Sequence, residues 1–417
     1  MEKKNFENYF SLLLIIYPIT IIVGPTVSLI NLLIIDFLFL YVLIREKNKL
    51  FFKHYSIKLL LILYLYLIFN SLISINTEIG LARNFGFLRL IIFFVFINYF
   101  FYNFKKNNFL NYWTIFLIIF LIDVFIEFFF GANIFGWGAR EIDGVPQPNG
   151  RRVMSFFKDE AVAGAFLSGF IFLLFGNLLS KYPQKKLIPL SFLVIFFLAI
   201  LFTGERANTI KIFIGMMLFF MFLDFYEIKK KIISLVVVFG VIIFILLKSD
   251  YLNNRYVGQI LKYFNSVNKF KIALDENIYF KLYRSGYSVF QKYPTFGVGN
   301  KNFRLETCKT ENLKNYEGYH CMTHPHQIYF EFLSEHGLFG SLIILSIFFY
   351  LLFKILIEIL ISRNYLQVGT FIFILVSFLP LIPSGSFFSH FSISLFWLNF
   401  SIMFACNEKT NIFNLKT

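Results

Sequence analysis

Apolar runs of roughly twenty residues recur along this chain, and they constrain its fold more than any other feature. About 20 apolar residues is the length an α-helix needs to cross the hydrocarbon core of a bilayer. A soluble domain of 417 residues would not carry so many such runs. The composition agrees: 58% of residues are hydrophobic, only 15% are charged, and mean hydropathy is +0.69. The expected fold class is therefore an all-α polytopic membrane protein. Phe is abundant at 62 residues. With Lys, Asn and Ile also common, this fits the codon bias of an AT-rich genome, so no motif is read from Phe alone.

About twelve transmembrane helices are expected, near 9–23, 27–44, 57–75, 87–102, 112–130, 161–180, 187–203, 209–225, 232–248, 327–353, 366–383 and 387–406. The first two form a tight pair joined by Gly24-Pro25-Thr26, and the first is short enough to be partly re-entrant. The basic stretch Met1–Asn5 leads into an apolar run without a small-residue cleavage site, so the first span is expected to stay uncleaved. With the N-terminus in the cytoplasm, alternate connections carry Lys3/Lys4, Arg45/Lys47/Lys49/Lys53, Lys105/Lys106, Lys181/Lys185/Lys186, Lys229/Lys230/Lys231, Lys354/Arg363 and Lys409/Lys416. Each is basic, as cytoplasmic connections are. The net charge of +15 thus reads as an orientation signal and does not require nucleic acid.

Both termini are then cytoplasmic. The opposite face holds 76–86, 131–160, 203–208, 249–326 and 384–386. The chain divides into helices one to nine (1–248), a long outer loop (249–326), and helices ten to twelve with a short tail (327–417). Twelve spans also suit a carrier. Carriers usually show internal repeats, and spans one to six do not resemble spans seven to twelve. One large asymmetric loop between spans nine and ten fits an enzyme better.

The candidate chemistry gathers on that outer face. Arg284 opens an expected amphipathic helix with Tyr287, Phe290 and Gln291 at helical spacing, ended by Pro294. Gly297-Val298-Gly299 follows, then Asn302 and Arg304. A Pro followed by G-x-G makes a tight turn whose amides can approach an anion; the alternative is a structural turn with solvated arginines. Cys308 and Cys321 lie on a disulfide-permissive face, and a bridge between them is expected. Their spacing to His324 and His326 matches no structural zinc pattern, and no metal is expected.

Thr323 can cap the following helix, with Pro325 in its first turn, which places His326 at the helix N-terminus. The positive end of the dipole would keep that imidazole neutral and competent as a general base. His324 is the weaker candidate. Arg206 in T-G-E-R-A-N, Arg151 and Arg152 before Ser155, and Arg83 and Arg89 flanking span four face the same side. Several guanidinium groups on one face indicate a polyanionic ligand, although Arg83 reads as a residue reaching for headgroups. Asp123 and Glu127, one turn apart in span five, would pair with one of these arginines or line a polar cavity.

These residues resemble the O-antigen ligase and O-antigen polymerase superfamily, the bacterial membrane glycosyltransferases of surface polysaccharide assembly. The likeness covers most of the chain. Its most specific parts are R-S-G-Y-S-V-F-Q-K-Y-P-T-F-G-V-G-N-K-N-F-R at 284–304 and C-M-T-H-P-H-Q-I-Y-F-E-F-L-S-E-H-G-L-F-G at 321–340. Supporting stretches are 123–136, 150–167, 203–208 and 380–388. The family usually has His-Asn where this chain has His326-Gln327.

The resemblance implies a GT-C-type helical fold in the bacterial inner membrane, with a periplasmic long loop and active site. It implies an undecaprenyl-pyrophosphate-linked glycan as donor, and lipid A–core or a second lipid-linked glycan as acceptor. It implies transfer without metal, nucleotide sugar or other cofactor; attack by a hydroxyl with pyrophosphate leaving is a single displacement, so inversion is expected. His326 would be the base, and Arg206 and Arg284 would bind the pyrophosphate. Arg152, Arg304, Gly297, Gly299, His324 and Gln327 would complete the substrate site. Ligase and polymerase share these motifs, and K-D-E-A-V-A-G-A-F-L after Arg152 looks more like the polymerase branch. The rival from another class is a lipid-linked oligosaccharide flippase or transporter.

Overall fold

The computed structural model describes residues 3–47, 50–104, 108–138, 141–142, 145–146, 152–158, 160–224, 227–258, 261, 275–315 and 318–414. It is almost entirely helical; one short antiparallel pairing joins β1 (Glu141–Ile142) to β2 (Val145–Pro146). The helices are α1 (Lys3–Val23), α2 (Pro25–Glu46), α3 (Tyr55–Leu72), α4 (Thr77–Phe85), α5 (Leu88–Asn103), α6 (Phe109–Phe130), α7 (Ala163–Lys181), α8 (Leu187–Phe202), α9 (Arg206–Met221) and α10 (Ile228–Lys248). They continue with α11 (Asp250–Leu252), α12 (Ile278–Lys292), α13 (Phe303–Thr307), α14 (Thr310–Asn315), α15 (Ile328–Ser362), α16 (Tyr365–Ser377) and α17 (His390–Ala405).

Each expected span meets a helix. Eight stretches among the described residues are long and apolar enough to cross a membrane: α1 from Phe6, α2, α3, the Thr77–Asn103 stretch, α6, α7, α10 and α15. The apolar helices α8, α16 and α17 are shorter, and α9 carries Arg206 and Lys211. Two spans differ from expectation. The fourth is preceded by a separate helix, α4, whose Asn76 cap accepts from the Ile79 amide at 3.1 Å. The tenth runs nine residues further, to Ser362, and is broken at Gly337. Many Leu, Ile and Phe side chains stay exposed on the outer faces of the helices, as a lipid environment permits.

The chain folds into two compact units. One comprises Met1–Gly24, Lys106–Lys271 and Arg363–Ser377; the other comprises Pro25–Lys105, Ile272–Ser362 and Phe378–Thr417. The first is organised on α7, the most enclosed span. Small residues let backbones meet there: a Cβ on Gly176 would lie 2.1 Å from the Tyr365 carbonyl oxygen, and one on Gly369 2.0 Å from that of Phe172.

The second unit is held by aromatic contacts between α5 and α17, with Phe94 against Phe400 and Phe404, and Phe87 edge-on to Trp397. Asn98 in α5 ties down the C-terminal segment. Its carbonyl accepts from Asn411 at 2.9 Å, and its side chain accepts from the Ile412 amide at 3.3 Å.

The break at Gly337 is the organising feature of the second unit. An interrupted helix leaves carbonyls before the break and amides after it without intrahelical partners. In an apolar bundle such groups need other partners. The 294–299 segment supplies them. Val298 and Gly299 amides donate to the Ser334 and Glu335 carbonyls at 2.9 and 2.8 Å, while Leu338 and Phe339 amides donate to the Pro294 and Thr295 carbonyls at 2.8 and 3.1 Å. Glycine is required on both sides of this contact. A Cβ on Gly297 would lie 2.4 Å from the Glu335 carbonyl carbon, and one on Gly337 would lie 2.4 Å from that of Thr295. Both residues also have positive φ, at +69° and +64°. Asn70 completes the seam by donating to the Phe296 carbonyl and accepting from the Asn300 amide, each at 3.0 Å.

Candidate active site

Two polar centres are built within these units. In the first, the 152–158 segment is fastened from below by α6. Glu127 accepts from the Met154 and Ser155 amides at 3.1 and 2.5 Å. Asp123 accepts from the Ser155 hydroxyl at 2.6 Å and the Ile134 amide at 3.0 Å. The two carboxylates therefore order backbone; this is the role the sequence left open between an arginine partner and a polar cavity. The Val153 amide donates to the Thr203 carbonyl at 3.3 Å, which ties the segment to T-G-E-R-A-N.

Glu205 of that motif is buried and accepts from the Gly164 and Ala165 amides at 2.7 and 3.1 Å and from the Asn208 amide group at 2.6 Å. It thus satisfies donors at the start of α7, where negative charge is favoured. Burial pushes its carboxyl up to about 7, against the pull of the Gly164 amide, Asn208, the Arg152 charge and the Ala165 amide.

Around this framework stand Arg152, Arg206 and Arg255. Arg255 Nε donates to the Gly204 carbonyl at 3.0 Å, and Arg206 Nη1 reaches the Arg255 carbonyl at 3.5 Å. The Arg255 guanidinium sits below its ordinary range because of burial first, then the charges of Arg152 and Arg206. Gly204 leaves room for Tyr251: a Cβ there would lie 2.3 Å from its hydroxyl. The sequence reading missed Arg255. The one available signal was that it is the only arginine between Arg206 and Arg284, which by itself does not distinguish it from a headgroup contact. Arg151 lies outside the described residues.

The second centre holds His324 and His326. Their rings lie with centroids 3.9 Å apart, tilted by 37°, and the Tyr279 ring stands edge-on to His326 at 6.2 Å. The helix begins later than expected. Gln327, rather than Thr323, caps α15, its side-chain oxygen accepting from the Tyr329 and Phe330 amides at 2.8 and 3.1 Å. Gln327 thus has a capping role, and His326 is the residue just before the cap, in left-handed backbone at φ 56°.

The imidazole of His326 is pushed down to about 4, by burial first and then by His324, with Glu331 and Ser384 opposing. Burial is thus the main cause of its neutrality, where the sequence argument invoked the helix dipole. His324 falls to about 4 as well, through burial and then the Lys301 charge.

Glu331, one turn into α15, is fully buried and accepts from the Ser386 hydroxyl at 2.5 Å and the Phe387 amide at 2.8 Å. Lys301 Nζ donates to the same Ser386 hydroxyl. The Ser384 amide donates to the His326 carbonyl at 2.8 Å. Arg83 faces inward, within electrostatic range of Glu331 and Glu335, and does more than reach for headgroups. Lys301 and Glu331 were not singled out in the sequence, although an acid inside an apolar helical run was the available signal.

The remaining candidates sit differently from expectation. Helix α12 starts at Ile278, six residues before Arg284, and buries Leu282, Tyr283, Ser285, Gly286 and Val289. Arg284 is on its exposed face, paired with Asp275 at 2.8 Å. Arg304 is exposed on α13. The amides of Gly297, Val298, Gly299 and Asn300 all donate to protein oxygens. The G-x-G turn therefore serves the Gly337 seam, and its amides are not free for an anion. Cys308 and Cys321 form a disulfide, with Cα atoms 4.5 Å apart, so neither is a thiolate ligand.

A bundle of long apolar helices with half-buried arginines and histidines and buried carboxylates at helix ends defines a polytopic membrane protein. Residues 191–345 match the family described as O-antigen ligase, which supports the resemblance to the O-antigen ligase and polymerase superfamily. That stretch contains Arg206, Arg255, Arg284, Lys301, His324, His326 and Glu331. The family implies a glycosyltransferase-like membrane enzyme that handles lipid-linked glycans. No curated protein matches the sequence.

Proposed function

We propose that this protein transfers a glycan from an undecaprenyl-pyrophosphate carrier to a sugar hydroxyl, at the periplasmic face of the inner membrane. The observation that carries the reading is the gathering of Arg152, Arg206 and Arg255 around one carboxylate already engaged by helix amides. A cationic excess of this kind, part-buried, suits a diphosphate, whose oxygens guanidinium groups bind bidentately.

In the proposed step His326 takes the proton of the acceptor hydroxyl. The hydroxyl oxygen forms a bond to the anomeric carbon while the carbon–oxygen bond to phosphate breaks. The electron pair leaves with the lipid diphosphate, whose charge Arg206 and Arg284 stabilise, with Arg152 and Arg304 assisting. A single displacement inverts the anomeric centre. The neutral imidazole of His326 supports its role as base. For Arg284 this role requires exchange of its Asp275 partner for phosphate.

Our reading of the acceptor is a second lipid-linked repeat, which makes the enzyme a surface-polysaccharide polymerase. The family description favours the second reading, ligation to lipid A–core. Deletion of the gene followed by electrophoresis of surface glycolipid tests both. Core bearing a single repeat marks a polymerase. Bare core, with polymer left on the carrier lipid, marks a ligase. Unchanged surface glycan with impaired lipid translocation overturns both in favour of a flippase.

A further inference from the structure

We propose that Glu331 is a positioning residue for His326, acting through Ser386 and the turn at 384–387; this rests on the reading of His326 as the base.

His326 is held in left-handed backbone, which a residue with a Cβ adopts only when its surroundings enforce it. The enforcing contact is the Ser384 amide, which donates to the His326 carbonyl at 2.8 Å. The Ser384 carbonyl lies against both imidazoles. The turn carrying Ser384 has Gly385 next in line and no helical or sheet bonding of its own. What anchors it is Glu331. One carboxylate oxygen accepts from Ser386 Oγ and the other from the Phe387 amide. Lys301 Nζ, itself in left-handed backbone, meets the same hydroxyl.

A buried carboxylate on the first turns of α15 thus fixes a loop that returns to hold the residue just before α15. The loop and the helix start are locked together, with His326 at the junction. Glutamate suits this place because it accepts at both oxygens. A glutamine there would turn its NH2 toward one of two donors and leave the Phe387 amide or the Ser386 hydroxyl without an acceptor.

The test uses the full-length protein in membranes of a strain lacking the gene. Turnover is measured on undecaprenyl-diphosphate-linked glycan extracted from that strain and normalised to inserted, disulfide-bonded protein. Glu331→Gln and Ser386→Ala are each expected to lower kcat by about 10²-fold with KM nearly unchanged, because the base is displaced while the substrate contacts persist. The double variant should be no worse than the weaker single, since both break one device.

The pH profile separates positioning from general loss of structure. The groups facing His326 and its partners are His324, the Tyr279 ring, Glu331 and Lys301, with Arg83 and Glu335 acting on Glu331. Both variants should lower the plateau of kcat and leave its acid limb in place, whereas general loosening of the site would solvate His326 and move that limb up toward 6.5. Wild-type turnover in Glu331→Gln, a loss that merely follows the amount of inserted protein, or fully additive singles overturns the proposal. The control is His326→Ala. If that variant stays active, the base assignment itself fails; if it is inactive while Glu331→Gln is normal, only the positioning role fails.

Discussion

The arginine centre of the first unit and the histidine centre of the second both use buried carboxylates to hold backbone and hydroxyl donors, and they differ in the groups gathered around them. In the first, Asp123, Glu127 and Glu205 all accept from backbone amides, and three arginines gather around this framework. In the second, Glu331 lies within electrostatic reach of Lys301 and Arg83, and the nearby imidazoles are neutral. In the proposed reaction the first centre would hold an anion and the second a base without charge. Burial has opposite uses in the two: it strengthens the attraction of clustered guanidinium groups for phosphate, and it keeps imidazole from protonating.

The comparison breaks first at His326. His326→Ala should lower turnover by about 10³-fold with the protein still inserted, as loss of a general base does; product formation per inserted molecule measures it, and near-normal turnover would falsify the assignment. The sign of the pH dependence follows from the lowered pKa. His326 is neutral above about 4, so activity should persist below the ordinary imidazole value of 6.5 and fall as pH drops through about 4. An acid limb centred near 6.5 instead would mean that the base is solvated.

The anion-holding centre should respond less steeply and in a different parameter. Arg206→Ala is expected to cost about 10²-fold in kcat/KM, and Arg206→Lys should recover little, because an ammonium group lacks the bidentate fork. Full recovery by Lys, read from initial rates at low donor concentration, would reduce this centre to a general field of charge.

The remaining two predictions concern what holds the second centre in place. Gly337→Ala combines positive φ with a clash against Thr295. It should destabilise by about 3 kcal/mol, visible as loss of folded protein in detergent on heating. Breaking the Cys308–Cys321 bridge by serine at both positions should cost less, about 2 kcal/mol. It should lower the midpoint of thermal inactivation and leave turnover at low temperature intact.

Much of this was legible from residue order alone. Helix positions followed from apolar run length, because a bilayer offers the backbone few other ways to bond. Arg206, Arg152 and His326 stood out because charge is expensive beside an apolar span. Arg255 did not stand out, since a lone arginine after a span reads as a headgroup contact until its neighbours are known. Gly297 and Gly299 were visible but were given the wrong use. A G-x-G turn looks the same whether its amides meet phosphate or, as here, the carbonyls of a broken helix. Gln327 looked like a variant of a substrate-binding amide and proved to cap α15.

The sequence by itself determined the helical membrane class, the polar island at 284–340 and the family its motifs resemble, because those depend on composition and on spacing along the chain. Only the tertiary structure decided where Asp123, Glu127 and Glu331 direct their carboxylates, that Arg255 joins Arg152 and Arg206, and that burial keeps His326 neutral. Those outcomes depend on which amides, hydroxyls and charges meet across long sequence separations, and no local pattern encodes such meetings. The break at Gly337 shows the reason most directly. Its glycine can be read in the sequence, but the segment that satisfies its open backbone groups lies some forty residues earlier and is brought there by the fold.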